Sequence, residues 1–323
     1  MKAQKNTILA IILGIISALF LSSTFTINSL LAHSGGHWAW TACLRSLFMI
    51  PVMLIPLLAT KRFKAFWCAL KSYPILFFKW GTIGFGGLYT CMALASLLIP
   101  GWLVAATFQL NILAGILLAP FLYEDHRKKI PIKALGLSLF IVSGVLIMQL
   151  DKLSQLHDVR SLAISFFLVL IGAIVWPLAN RKLLLELDNQ KVPLNAMQRV
   201  LGLTAGSLPL WLLLAGYAFT QVGMAPDTQL QASFYSAVFS GFLGGVGFYK
   251  ATQMVKQDSL ALATVEATQV FEIFFTLIGE MWLINAPLPK FYGFAGMLMI
   301  ISGMLVQITL SVQYAKRSNL QST

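Results

Sequence analysis

The stretch Asp258–Trp282, DSLALATVEATQVFEIFFTLIGEMW, decides how the chain is read. It is long and apolar enough for a membrane-spanning helix, yet Glu266 and Glu272 stand well inside it. A charge at bilayer depth costs roughly 3 kcal/mol on insertion scales, so such residues face a cavity or a partner. At ~1.5 Å rise per residue, Glu266 lies about 12 Å and Glu272 about 21 Å from Asp258, inside a hydrocarbon layer roughly 30 Å thick. The rest of the chain is the scaffold that makes these two carboxylates tolerable.

Of the 323 residues, 58% are hydrophobic and 11% charged, and mean hydropathy is +0.80. A soluble domain has no need of so much apolar surface; the composition is that of an all-α polytopic membrane protein. A formal charge of +12 would suggest nucleic acid in a soluble chain. Here the basic residues fill short gaps between apolar runs, the pattern that orients membrane helices. The expected partners are therefore a lipid bilayer and a small molecule, and no nucleic acid. Cys43, Cys68 and Cys91 are an odd count without metal-ligand spacing, two in predicted spans and Cys68 in a basic loop, which argues against a disulfide framework. The apolar run after MKAQKN is too long for a signal-peptide core and reads as a retained first helix.

Ten apolar segments follow one another at roughly 7–31, 37–60, 73–97, 101–122, 131–150, 160–182, 193–217, 232–256, 258–282 and 290–314. With the N-terminus in the cytoplasm, the cytoplasmic gaps and ends hold Lys2, Lys5, Lys61, Arg62, Lys64, Lys71, Arg127, Lys128, Lys129, Lys133, Arg181, Lys182, Lys191, Lys250, Lys256, Lys316 and Arg317. The opposite side holds only Lys152, Arg160 and Lys290. Seventeen against three predicts ten spans with both termini inside the cytoplasmic membrane.

A faint repeat runs through the chain. Arg45 pairs with Arg199, Gly84-Phe85-Gly86-Gly87 with Gly241-Phe242-Leu243-Gly244, and Ala95-Ser96 with Ala251-Thr252. Glu124 pairs with Glu280 and Ser143-Gly144 with Ser302-Gly303, so the offsets are 154, 157, 156, 156 and 159. Five collinear matches divide the chain into 1–155 and 156–323. Because each unit has five spans, the two are expected to be inverted relative to one another, a common transporter construction with its site near the midplane.

This organisation resembles the drug/metabolite transporter superfamily, and within it the ten-helix EamA-like proteins. The residues that carry the resemblance are Arg45 in CLRSLFMIP, Arg199 in MQRVLGLTAG and the Gly279-Glu280 pair. To these are added the glycine-spaced LGLSLFIVSGVLI and FAGMLMIISGMLV of the fifth and tenth segments. Within the superfamily the chain looks like the multidrug resistance efflux branch, related to the four-helix small multidrug transporters. It departs from the common pattern at Asn111 and about Ala267, where relatives often carry proline, and at Tyr123, where they carry glycine before the acid. The small transporters use a glutamate in their first helix for both proton and cationic drug. Here the first carboxylate is Glu124, and the first segment offers polar residues such as Ser22, Ser23, Thr24, Thr26, Asn28 and Ser29 but no acid. If the chain couples to protons, Glu266 or Glu272 must serve.

Those two acids point about 120° apart at ~100° per residue, with Gln269 between them. Each is either a protonatable group lining a cavity or half of an ion pair with Arg199, Arg45 or Lys250. Arg45 and Arg199 could bind an anionic group or clamp a carboxylate, but their recurrence in both halves favours a shared architectural role. Gln109 and Asn111, in the fourth segment, are placed to bond substrate or another helix. Trp176-Pro177 and Asn180 are expected to interrupt the sixth segment, with Trp176 free to stack on a cationic or aromatic ligand. Tyr89, Phe248 and Tyr249 read as packing, and the glycines of the third and eighth segments as sites of close helix approach. His33 and His37 share HSGGH, while His126 and His157 lie in other loops, so no metal is expected.

The function expected is secondary active transport by alternating access: proton-coupled efflux of cationic or lipophilic compounds, or else movement of an amino-acid- or nucleotide-like metabolite. With no GxxxxGK[ST] loop, no nucleotide cofactor is expected. An enzyme would need a nucleophile and base at membrane depth, and a receptor or scaffold would tolerate glutamine at Glu266 and Glu272. Two five-helix units make a complete transport unit, so a monomer is adequate.

Overall fold

The computed structural model describes residues 2–60, 62–125, 128–130, 132–153 and 159–321. Lys61, His126, Arg127, His157 and the boundary expected after residue 155 lie outside the described residues. A chain in hydrocarbon must satisfy its backbone internally; all ten apolar segments are helical, and no strand occurs among the described residues.

The helices are α1 (Lys2–Leu21 running on as Ser23–His33), α2 (Trp38–Ala59), α3 (Phe63–Ser72) and α4 (Pro74–Gly81, a π-helical Thr82–Gly86, then Gly87–Ala95). There follow α5 (Gly101–Phe108 and Leu110–Leu122), α6 (Ile132–Leu153), α7 (Val159–Asn189) and α8 (Ala196–Gly206 and Leu208–Val222). The chain ends with α9 (Asp227–Ser236, a π-helical Ala237–Gly245, Val246–Met254), α10 (Ser259–Ala267, a 3₁₀ turn Thr268–Val270, Phe271–Ile284) and α11 (Phe291–Gln321). Six of the described helices are long and apolar enough to cross a membrane, seven if the two arms of α8 make one span.

Local chemistry explains the breaks. The arms of α8 meet at 48°. At that corner Pro209 has no N–H to donate, and the Ser207 hydroxyl lies 2.9 Å from the carbonyls of Leu203 and Thr204. α5 breaks at Gln109, whose amide nitrogen reaches the Ala105 carbonyl at 3.0 Å. α10 breaks at the 3₁₀ turn over Thr268–Val270. Two expectations are corrected. Trp176-Pro177 and Asn180 do not interrupt α7, which runs unbroken to Asn189 because one lost hydrogen bond is outweighed by packing on both sides. Cys68 is not in a loop but on α3, which buries Phe66 and Ala69 and exposes Lys64, Trp67 and Lys71.

α5 and α10 form the centre. Their spans are 78% and 72% buried, against 39% for α7 and α11. α5 packs on α10, α6 on α11 and α2 on α8; α4 lies against α7 and α8, and α9 against α1 and α2. Close approach depends on glycine at two crossings. A Cβ on Gly144 of α6 would stand 2.8 Å from the Gly296 carbonyl of α11, and one on Gly81 of α4 would stand 2.9 Å from the Ser207 nitrogen of α8.

Candidate functional site

The break in α10 turns its polar residues towards different neighbours. Glu266 precedes it, Gln269 sits in it and Glu272 follows it. On the N-terminal side, Arg181 Nη2 of α7 lies 2.7 Å from both carboxylate oxygens of Glu266. Arg181 Nη1 also donates to the Gly115 carbonyl of α5. Gly115 makes room for this clasp, since a Cβ there would stand 2.9 Å from Arg181 Nη2 and 3.2 Å from Glu266 Oε2. The ion-pair partner is thus neither Arg45, Arg199 nor Lys250, and Arg181 leaves the cytoplasmic gap in which its sequence position put it. The apolar run thins near residue 182, but α7 continues as an amphipathic helix with Leu183 and Leu187 buried, keeping Arg181 inside.

In the middle, Gln269 accepts a hydrogen bond from Asn111 Nδ2 of α5 at 2.9 Å. Both amides are buried, so this contact ties the two central helices at their breaks. Gln109 is turned away: it bonds its own helix, and its Oε1 has no partner among the described residues.

Glu272 has no such company. It is 1% exposed, and neither carboxylate oxygen has a hydrogen-bond partner among the described residues. It lines a small cavity, with about 30 Å³ of open space, together with Phe25, Tyr89, Phe108, Trp176, Ser240 and Gln269. The aromatic wall is ordered. Trp176 stacks on Phe85 with centroids 5.6 Å apart and on Phe248 at 6.4 Å, and meets Tyr249 edge-on at 5.7 Å. An aromatic and aliphatic lining with one carboxylate suits a cation, which gains both charge pairing and cation–π attraction. α1 adds Leu21, Thr24 and Phe25 to the same wall, but no acid.

The two candidate arginines part company. Arg45 lies with its guanidinium carbon 3.9 Å from the centroid of the Tyr89 ring and donates from Nη2 to Ser240 Oγ at 3.1 Å. Both partners belong to the cavity wall. Arg199 lies 5.3 Å from the Tyr249 ring centroid and donates to the Tyr249 carbonyl at 3.2 Å and to Gln253 at 3.3 Å. It borders a separate cavity of about 260 Å³, beside the Lys256–Asp188 ion pair at 3.2 Å. The structure therefore gathers Glu272, Gln269 and Trp176 at one cavity, with Arg45 against its wall and Asn111 bonded to Gln269. Glu266, Gln109 and Arg199 are not among its lining residues.

Sequence reasoning missed Arg181, Ser240 and the part Glu280 plays. The Glu280 side chain, fully buried at the far end of α10, accepts from the backbone nitrogens of Gly101 and Trp102 at 2.8 and 2.9 Å. It caps α5 from another helix, where a carboxylate offsets the positive end of the helix dipole.

Residues 8–313 match the model of the EmrE family, "Putative multidrug resistance efflux transporter". The chain belongs to this family. It is similar to "Uncharacterized protein YjlA" of Bacillus subtilis (strain 168), 37% identical over 97% of this chain and 98% of that one. It is also similar to an "Uncharacterized 42.1 kDa protein in intracellular alkaline protease 3'region" of Shouchella clausii, 33% identical over 80% of this chain and 69% of that one. A crystal structure of a protein 15% identical shares the fold, with a TM-score of 0.63 over 94% of this chain and 98% of that one. Membership fixes the broad class as an integral membrane transporter of small molecules and fits the apolar helices.

Proposed function

We propose that this EmrE-like protein is a secondary transporter of the cytoplasmic membrane that exports small cationic or lipophilic compounds in exchange for protons. Glu272 is the group that proton and substrate share. The observation that carries this reading is a buried carboxylate with no hydrogen-bond partner among the described residues, facing an aromatic cavity, while the neighbouring Glu266 is already occupied by Arg181. Glu272 binds a proton or a cation but not both, so each ligand drives the other off.

The ten spans, the two inverted five-helix units and the cytoplasmic placement of both termini belong to the same proposal. Helix packing supports the repeat: α2 meets its counterpart α8, α5 meets α10 and α6 meets α11, while α4 on α7 is mirrored by α9 on α1. With Arg181 removed, the positive charge still divides sixteen to three between the two sides, and that supports the orientation. Both units are present in one chain, so a monomer suffices.

An amino-acid- or nucleotide-like substrate is the second reading, favoured by the buried Arg45 at the cavity wall. The deciding experiment is ligand stabilisation of the purified protein at pH about 6 and about 8. A cation at about 100 times its dissociation constant adds roughly 2.7 kcal/mol. On the proposed reading this gain is larger at the higher pH and is lost in Glu272→Gln. Full retention in Glu272→Gln would overturn it and leave a scaffold or a site elsewhere.

A further inference from the structure

Three arginines are buried among the described residues, and they differ in how their charge is met. Arg181 holds the carboxylate of Glu266, and Arg199 donates to a backbone carbonyl and to the Gln253 side chain. Arg45 is 3% exposed and meets only the Ser240 hydroxyl and the Tyr89 ring. Its Nε and Nη1 have no hydrogen-bond partner among the described residues. A guanidinium offers five donors in a planar fork that matches a carboxylate or phosphate, and this one is left almost empty.

The orphan of opposite sign is Glu272. Both Tyr89 and Ser240, which Arg45 touches, line the cavity that Glu272 lines. Tyr89 lies within electrostatic reach of Arg45 and of Glu272 alike. A buried charge is tolerated only when something compensates it, and neither group has a charged partner among the described residues. An unmet guanidinium and an unpartnered carboxyl that can give up its proton, at one cavity, are met together by a ligand that carries both charges.

Resting on the assignment of Glu272 as the cation site, we infer that Arg45 is a second subsite, for an anionic group. The substrate is then amphoteric: a compact molecule with an apolar body, a cationic centre towards Glu272 and a carboxylate or similar anion towards Arg45. Trp176, Phe25 and Phe108 pack its body. The cavity's open space is small, about 30 Å³, which favours a compact molecule over a bulky amphiphile.

The test uses matched pairs: aromatic, aliphatic and small amino acids, each beside its methyl ester, which keeps the amine and loses the anion. Simple lipophilic cations complete the panel, and binding is read by thermal stabilisation of the detergent-purified full chain. In the wild type at least one zwitterion is expected to bind about tenfold or more tighter than its ester. Arg45→Gln should bring that zwitterion down to the affinity of its ester and leave the ester unchanged. Arg45→Lys, which keeps the charge and loses the fork, should fall between and guards against misfolding of the neutral variant. Glu272→Gln should weaken both members of each pair. If every ester matches or exceeds its zwitterion, or only simple cations bind, the inference is overturned while the cation site at Glu272 stands. If Glu272→Gln changes no ligand, the cation site itself falls, and the inference with it.

Discussion

Arg181 and Glu266 are held together at 2.7 Å inside the membrane-embedded bundle, joining α7 to α10 and, through the Gly115 carbonyl, to α5. Breaking a buried pair strands the surviving charge, which costs far more than the pair itself contributes. Arg181→Met alone should therefore cost about 3–5 kcal/mol of stability. Arg181→Met combined with Glu266→Leu should recover most of that loss. Unfolding midpoints of the two single variants and the double variant give the comparison, and additive losses would show that the two charges do not interact.

Glu272 should behave in the opposite way. Among the described residues its carboxylate has no partner to lose, so Glu272→Gln is expected to leave the unfolding midpoint unchanged or raise it, while cation transport into proteoliposomes falls to background. A variant as unstable as Arg181→Met would mean that Glu272 holds the bundle together through a contact the structure does not show.

The Gly144–Gly296 contact predicts a steric limit. Valine at Gly144 would press on the Gly296 backbone, which cannot rotate away as a side chain could. Overpacking of this kind costs typically 1–3 kcal/mol, roughly. Gly136, whose added Cβ would meet nothing within 4 Å, is the control on the same helix. Equal midpoints for Gly144→Val and Gly136→Val would show that α6 and α11 are not packed this closely.

Glu280→Ala removes the acceptor for the Gly101 and Trp102 nitrogens and should cost about 0.5–2 kcal/mol, with Glu280→Gln milder because it keeps one acceptor oxygen. Hydrogen exchange at the start of α5 should quicken in Glu280→Ala and stay slow in Glu280→Gln. Unchanged exchange in both would remove the cap from the account.

Most of the fold was legible because hydropathy is read one helix at a time. The apolar runs, the charged gaps and the glycine spacing of α6 and α11 all lie within continuous stretches of sequence. The two acids of α10 stood out for the same reason. Their fates could not be read, because they are set by residues far away in the chain. Arg181 looked like the end of a span until α7 proved to continue to Asn189, and nothing near Glu266 in sequence announces it. Ser240 and Tyr89 are ordinary polar residues in glycine-rich segments and gain meaning only beside Arg45. α3 was hidden by its brevity: one short amphipathic helix of ten residues reads as a basic loop. Pro177 misled in the other direction, since a proline within a packed helix forfeits a single hydrogen bond that its neighbours can outweigh.

The sharing of Glu272 between proton and substrate can be measured most directly as proton release. Purified protein in weakly buffered solution would be titrated, between pH about 6 and about 8, with the tightest-binding cationic or amphoteric ligand. Release approaching one proton per ligand bound at the acid end, declining as pH rises and absent in Glu272→Gln, is the predicted result. Saturable binding with no proton released at any pH, or the same release from Glu272→Gln, would contradict the account.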